Sequence, residues 1–333
     1  MKKMIYLATV MLMVAMVSCG GHNSSLNEKG NKSEMDTLSY AFGINVCGGI
    51  TYDMPDLKLD WDVMGKAMEK TLLAPMPTGE DVEKAEAQAL LDEFFRGPRM
   101  ERMNAKAEAI MASDSTHQLV REDFVDFDVF AGDEAQRKAI SEAYGVYTGS
   151  NLRASRMPLK TYWLQKGMAD YAAGETVITE SFAQQFIQNY YVTEMPLQNA
   201  AESKAWLAEV EKQKGVQKTE SGLLYRIDRA GDTSVMPTAE DTVVVDYKGE
   251  LKDGYVFDSS YDRGESIEFP LNGVIKGWTE GLQLIGKGGK ITLWIPSELG
   301  YGAYGSGSIG PNMALLFTVE LHDVKRASEQ SAE

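Results

Sequence analysis

VIKGWTEGL, Val274–Leu282, places a tryptophan directly after a glycine, with apolar residues before and behind it. The stretch lies among short β-branched and aromatic runs: SGLLYRIDRAG (221–231), TVVVDYKGEL (242–251), YVFDSS (255–260), IEFPL (267–271), KITLWIP (290–296) and ALLFTVELHDV (314–324). Gly, Asp, Pro or Asn separates them, as turn residues separate strands. One helix, WTEGLQLI (278–285), interrupts the series before a GKGG turn. The expectation is an α+β domain over 215–326, an antiparallel sheet wrapped on one short helix. Whether Trp278 fills a hole or floors one is then the functional question.

Upstream the texture is helical. GEDVEKAEAQALLDEFF (79–95), RMERMNAKAEAIM (99–111), ITESFAQQFIQNYY (178–191) and NAAESKAWLAEVEKQKG (199–215) carry apolar residues at three- and four-residue spacing behind capping residues. The helices repeat. LSYAFGINVCGGI (38–50) lies over ISEAYGVYTGSNL (140–152), VMGKAMEKTLL (63–73) echoes WLQKGMADYAA (163–173), and DEFF echoes QNYY. Two tandem helical modules are expected, 36–120 and 121–214, the second ending in a linker helix. The tail 327–333 is polar.

The first nineteen residues read as a secretory signal: a basic MKK, then an apolar IYLATVMLMVAMV too short for a comfortable membrane span. MVSC (16–19) resembles the lipobox of bacterial lipoproteins, with Met16 in place of the usual Leu. That implies lipidation of Cys19 and a membrane anchor, followed by a Gly/Asn/Ser-rich tether over 20–35. Cys47 is then the only remaining thiol, and a buried structural role is expected for it.

Several chemistries are excluded. A formal net charge of −16 over 333 residues argues against sequence-independent nucleic-acid binding. His22, His117 and His322 have no ligand spacing, so no metal and no cofactor is expected. GSGSIG (305–310) matches GxGxxG but precedes a strand rather than a helix, which fails the dinucleotide context. What remains is a density of aromatics at strand ends and in a glycine-rich loop: Tyr247, Phe257, Phe269, Trp278, Tyr301, Tyr304 and Phe317. They suggest a concave apolar pocket with few polar groups.

YKGELKDGYVFDSS, VIKGWTEGL, IPSELGYGAYG and PNMALLFTVEL, in that order over about 221–324, resemble the FK506-binding-protein (FKBP) type of peptidyl-prolyl isomerase. The resemblance implies that Trp278 is the floor of a proline pocket walled by Tyr247, Phe257, Val274, Ile275 and Phe317. It implies that the Ile275 N–H and the Tyr301 hydroxyl hold substrate carbonyls, and that Asp258 at the rim orients Tyr247 or the twisted amide. Phe269 and Ile267 would add to the walls, and Ile309 would close the pocket. Ile267 replaces a usual phenylalanine, and Gly310 the first proline of an Ile-Pro-Pro-Asn segment; the segment between Phe269 and Val274 is short.

The run WLAEVEKQKGVQKTESGLLY (206–225) resembles the junction between helical module and isomerase domain in envelope FKBPs of the Mip and FkpA type. The implied partners are proline-containing unfolded or folding polypeptides, with macrolide binding at the same pocket. The implied location is the bacterial cell envelope, and the tether, with no long acidic run after Cys19, points to the periplasmic side. In that group the helical module dimerises; here two copies precede one isomerase domain. Either they pair within a monomer, or the chain forms an ordinary homodimer. A binding chaperone of the holdase type with a vestigial isomerase site is the alternative function.

Overall fold

The computed structural model describes residues 34–77 and 80–327. The signal-like segment, Cys19, the tether as far as Ser33 and all but the first residue of the polar tail lie outside these residues. Two compact units divide the chain, 1–190 and 191–333.

The first unit holds α1 (Glu34–Asp53), α2 (Trp61–Leu73), α3 (Val82–Arg96), α4 (Pro98–Ser113), α5 (Glu134–Ala154), α6 (Thr161–Ala173) and α7 (Glu180–Asn189). Their starts follow from the sequence. Asp60, Asp81, Asp133 and Thr179 each cap a helix by accepting backbone N–H bonds from its first turn. Pro98 opens α4 directly behind Gly97, which ends α3.

The repeats pack on each other by exchange: α1 lies against α6, and α2 against α5. The same offset then recurs in detail. A Cβ on Gly43 of α1 would fall 2.1 Å from the Leu164 carbonyl oxygen of α6, and one on Gly145 of α5 would fall 2.3 Å from that of Met64 on α2. Glycine at these crossings lets the helix backbones touch. Ser39 donates to the Met35 carbonyl and accepts from the Lys160 N–H at 2.8 Å; Ser141 donates to the Arg137 carbonyl and accepts from the Asp60 N–H at 2.8 Å. The sequence repeat is thus a pseudo-twofold pair, and Phe42, Ile44, Met64, Met68, Ile140, Leu164 and Met168 are among its fully buried side chains. Cys47 is fully buried, and burial pushes its thiol pKa up, as suits a structural residue.

The second unit opens with α8 (Met195–Val210). It continues with β1 (Gln217–Lys218), β2 (Leu224–Arg229), β3 (Thr242–Glu250), β4 (Val256–Ser259), α9 (Ser260–Arg263), β5 (Ile267–Pro270), α10 (Lys276–Leu282), β6 (Lys290–Ile295) and β7 (Leu315–Lys325). The sheet runs in the order β1-β2-β6-β7-β3-β4, and β5 also pairs with β3. All pairings are antiparallel. β3 alternates along its length and β7 as far as His322, sending Val243, Val245 and Tyr247, and Leu315, Phe317, Val319 and Leu321, to one buried face. That face packs on α10. On the opposite face Trp206, Leu207 and Val210 of α8 pack with Leu224, Trp294 and Leu316. The single helix expected from the sequence therefore has a companion: the linker helix covers the other side of the sheet.

Candidate active site

Two glycines explain where Trp278 goes. Gly277 and Gly281 stand one turn apart on α10, and a Cβ there would meet Ile295 at 2.5 Å and Leu293 at 2.6 Å. Their absence of side chains lets α10 rest directly on β6. Trp278, beside Gly277, is only 4% exposed. Its ring stands nearly perpendicular to those of Tyr247, Phe269 and Phe317, with centroids 5.0, 5.6 and 5.2 Å away. Edge-to-face geometry of this kind is the favoured aromatic contact. The indole N–H is buried and has no acceptor among the described residues.

Tyr247 is fixed from both ends. β5 pairs with the first half of β3 and β4 with the last three residues, so one edge of β3 is left without a strand partner near Tyr247. Ser260, at the start of α9, fills that gap: its Oγ accepts the Tyr247 N–H at 2.9 Å and donates to Asp246. A buried backbone donor is thereby satisfied. At the other end the Tyr247 hydroxyl donates to Asp258, while Arg263 donates to both Asp258 and the Tyr247 oxygen. Burial, and then the hydrogen bond to Asp258, push the Tyr247 pKa up to about 12. Tyr247 therefore remains a donor throughout the neutral range. The Arg263 and Asp258 side chains are 40% and 41% exposed, so their ion pair adds little stability. Its effect is to aim the carboxylate and the phenol.

These groups surround a concavity of about 480 Å³. Tyr247, Phe257, Asp258, Phe269, Val274, Ile275, Trp278, Tyr301, Ile309 and Phe317 line it, together with Gly273, Ser306, Gly307 and Ser308. Phe257 and Phe317 meet edge-on, 5.4 Å between centroids, in the space left by Gly249. Ile267 does not line the concavity; it lies opposite Val245 on β5 and packs at the margin of the core. The Ile275 N–H and the Tyr301 hydroxyl take no partner among the described residues, which leaves two donors free beside the aromatic floor. Burial raises the Tyr301 pKa, and the Asp258 charge adds to this.

Sequence reading did not single out Arg263. Its only available signal was position: it ends α9, the four-residue helix that follows Asp258 and Ser259, and Gly264 in the left-handed region stops that helix. Gly249 was missed because no periodicity marks a close approach.

Residues 233–322 match the family model described as FKBP-type peptidyl-prolyl cis-trans isomerase, and 137–227 match the domain amino terminal to that isomerase. An FKBP-type peptidyl-prolyl cis-trans isomerase FkpA of Aeromonas hydrophila is 38% identical over 207 residues, 58% of this chain and 77% of the relative. The peptidyl-prolyl cis-trans isomerase Mip of Coxiella burnetii is 36% identical over 58% of this chain and 89% of its own. The FkpA of Escherichia coli K12 is 51% identical over 135 residues, 40% of this chain and half the length of that relative. The crystal structure of FkpA from Escherichia coli aligns with a TM-score of 0.45 at 38% identity, over 59% of this chain and 98% of that one.

Proposed function

Since this chain belongs to the FKBP-type peptidyl-prolyl cis-trans isomerases, we propose that it turns X-Pro bonds in the concavity over Trp278, on polypeptides folding in a bacterial envelope. The observation that carries this reading is the aromatic box of Tyr247, Phe269, Trp278 and Phe317 with two unpaired donors at its edge.

The chemistry asks for little more. Rotation about the X-Pro bond breaks amide resonance, with a barrier of about 18–20 kcal/mol. The planar amide is strongly dipolar; the twisted amide is less so and has a ketone-like carbonyl. A pocket that excludes water favours the twisted form, and each tenfold acceleration needs only about 1.4 kcal/mol of such preference. The prolyl ring would rest on Trp278, with the Ile275 N–H and the Tyr301 hydroxyl each donating a hydrogen bond to a substrate carbonyl on either side. Asp258, steadied by Arg263 and Tyr247, would lie at the rim next to the twisting carbonyl carbon. No nucleophile, base or metal enters.

The same proposal extends to the rest of the chain. Lipidation of Cys19 would tether the enzyme to a membrane, facing the periplasm. The paired helical repeats would do within one chain what dimerisation does with two, leaving a monomer. Large apolar side chains exposed on the helical unit, Tyr52, Leu73, Val82 and Tyr162 among them, support a role in holding unfolded clients. The macrolide-type ligands of the family would compete for the proline pocket.

The test is prolyl cis/trans exchange on a short X-Pro peptide, with the chain from Gly20 onward and its Asp258→Ala variant. Fast exchange suppressed by the substitution is expected. A folded wild-type chain that leaves exchange at the uncatalysed rate would leave only the holdase reading. Light scattering on the same sample should give a monomer mass, and a dimer mass would overturn the internal pairing as the substitute for dimerisation.

A further inference from the structure

The loop that closes the pocket has two limbs. Its outgoing limb carries Tyr301, and its tip carries Ser306 to Ile309, all lining the concavity. Ser306 and Ile309 pair backbone to backbone at 2.8 and 2.9 Å, which makes the tip a small self-contained turn. Within the loop the Asn312 N–H donates to the Gly302 carbonyl at 2.9 Å, and from outside it the returning limb is held by α8. Asn199 donates through Nδ2 to the Pro311 carbonyl at 2.9 Å. Ser203 Oγ donates to the Asn312 carbonyl at 2.9 Å and accepts the Ala314 N–H at 2.8 Å. The Asn312 amide donates back to the Pro196 carbonyl at 3.1 Å.

Asn312 needs this support. Its φ of 58° is in the left-handed region, which asparagine tolerates but does not prefer. Three of the four bonds engage Asn312 or the residue just before it. Gly310 belongs to the same contact: a Cβ there would stand 3.1 Å from Asn199 Nδ2 and 3.2 Å from Met313 Cε. Glycine in place of the family's proline thus sits where α8 approaches the loop. The helix can act as a fixed strut because its C-terminal half is seated on the outer face of the sheet through Trp206, Leu207 and Val210.

We propose that α8, which lies outside the residues matching the isomerase family model, is a positioning element of the isomerase site: Asn199 and Ser203 hold the returning limb, and so hold Ile309 over the pocket. Substrate then meets a loop already ordered, and pays less of the ordering entropy itself. The helix that enters the isomerase unit thereby sets the affinity of its pocket. This inference rests on the isomerase reading of the same concavity.

The experiment uses the chain from Gly20 onward with Ser203→Ala and Ser203→Thr. Alanine deletes both bonds at that position, and threonine keeps a hydroxyl that can make them. Loss of two bonds predicts a KM for an X-Pro peptide about fivefold to tenfold higher with kcat within about twofold of wild type, and recovery in the threonine variant. Hydrogen exchange is followed at the Ser306 and Ile309 amides, whose acceptors lie within the loop and not on Ser203. About tenfold faster exchange in Ser203→Ala, reversed in Ser203→Thr, is expected. Wild-type exchange rates at these two amides, or an unchanged KM, would overturn the proposal. A wild-type chain inactive on peptides would refute the isomerase function alone; peptide affinity read from tryptophan fluorescence would then take the place of KM, with the same expected and overturning results.

Discussion

Gly249→Ala adds one methyl group, and the structure says where it lands. Its Cβ would lie 2.6 Å from Cε2 and Cζ of Phe257 and 2.8 Å from Cε1 of Phe317. Carbon atoms rest comfortably at about 3.5–4.0 Å, so each ring must withdraw by roughly 0.7–1 Å. Gly249 is not in the left-handed region, so its backbone accepts alanine and the effect is purely steric. Neither ring can retreat freely. Phe317 is directly opposite Gly249 in the β3–β7 register and leans on Trp278, and Phe257 leans on Phe317. Overpacking of this kind costs about 1–3 kcal/mol. The larger effect falls on catalysis, because both rings line the pocket and a misplacement of about 1 Å can cost on the order of a hundredfold. We expect kcat/KM for an X-Pro peptide to fall by roughly tenfold to a hundredfold in a chain that still folds. Adding Phe257→Leu should return part of the lost stability, since the smaller side chain makes room, and a double-mutant cycle would show that coupling. Gly249→Ala with wild-type kcat/KM and an unshifted denaturation midpoint would refute the packing described for this wall.

Arg99→Ala should destabilise the helical unit by about 3–5 kcal/mol in urea unfolding, because it strands the buried Asp56 carboxylate that Arg99 now holds by two bonds of 2.8 Å. Ser39→Ala and Ser141→Ala should each cost about 1–3 kcal/mol and match each other closely, since each removes the hydroxyl that accepts from the equivalent backbone N–H in the other repeat. Unequal losses would count against the pseudo-twofold relation. Asp241 is burdened by burial, yet hydrogen bonds from Thr238, Ala327 and Arg326 outweigh it and bring its pKa down to about 2 from 3.8. A depressed carboxylate stabilises the fold above its unfolded pKa and loses that contribution as pH falls from near 4 toward 2. Asp241→Asn should therefore flatten the acid limb of the stability curve in that window, measured by thermal melting across pH.

The exchange of helices in the first unit was half legible. Repeat and period are written in the apolar spacing of 38–50 and 140–152, and Gly43 and Gly145 fall at the same place in both. That the two copies pack on each other within one chain was only one of two open arrangements. Nothing in a repeat distinguishes a partner in the same chain from one in another.

Sequence by itself determined the strands and the short pocket-side helix of the second unit, and most of the residues that line its concavity. Alternation along β3 and β7 commits Val245, Tyr247, Phe317 and Val319 to one face, and a strand's period of two leaves no other choice. The WTEGL stretch with glycines on either side of its tryptophan commits α10 to lie close on that face. Tertiary structure alone decided the rest. Ile267 and Phe269 share a face of β5, yet only Phe269 reaches the concavity. Arg263 meets Tyr247 because β4 and α9 fold back beside β3, a closure that no local pattern encodes. Asn199 and Ser203 meet a loop more than a hundred residues further along the chain. Residue spacing fixes which face a side chain takes within its own element; what it touches beyond that element depends on how distant segments dock, and that is set only when the whole unit has folded.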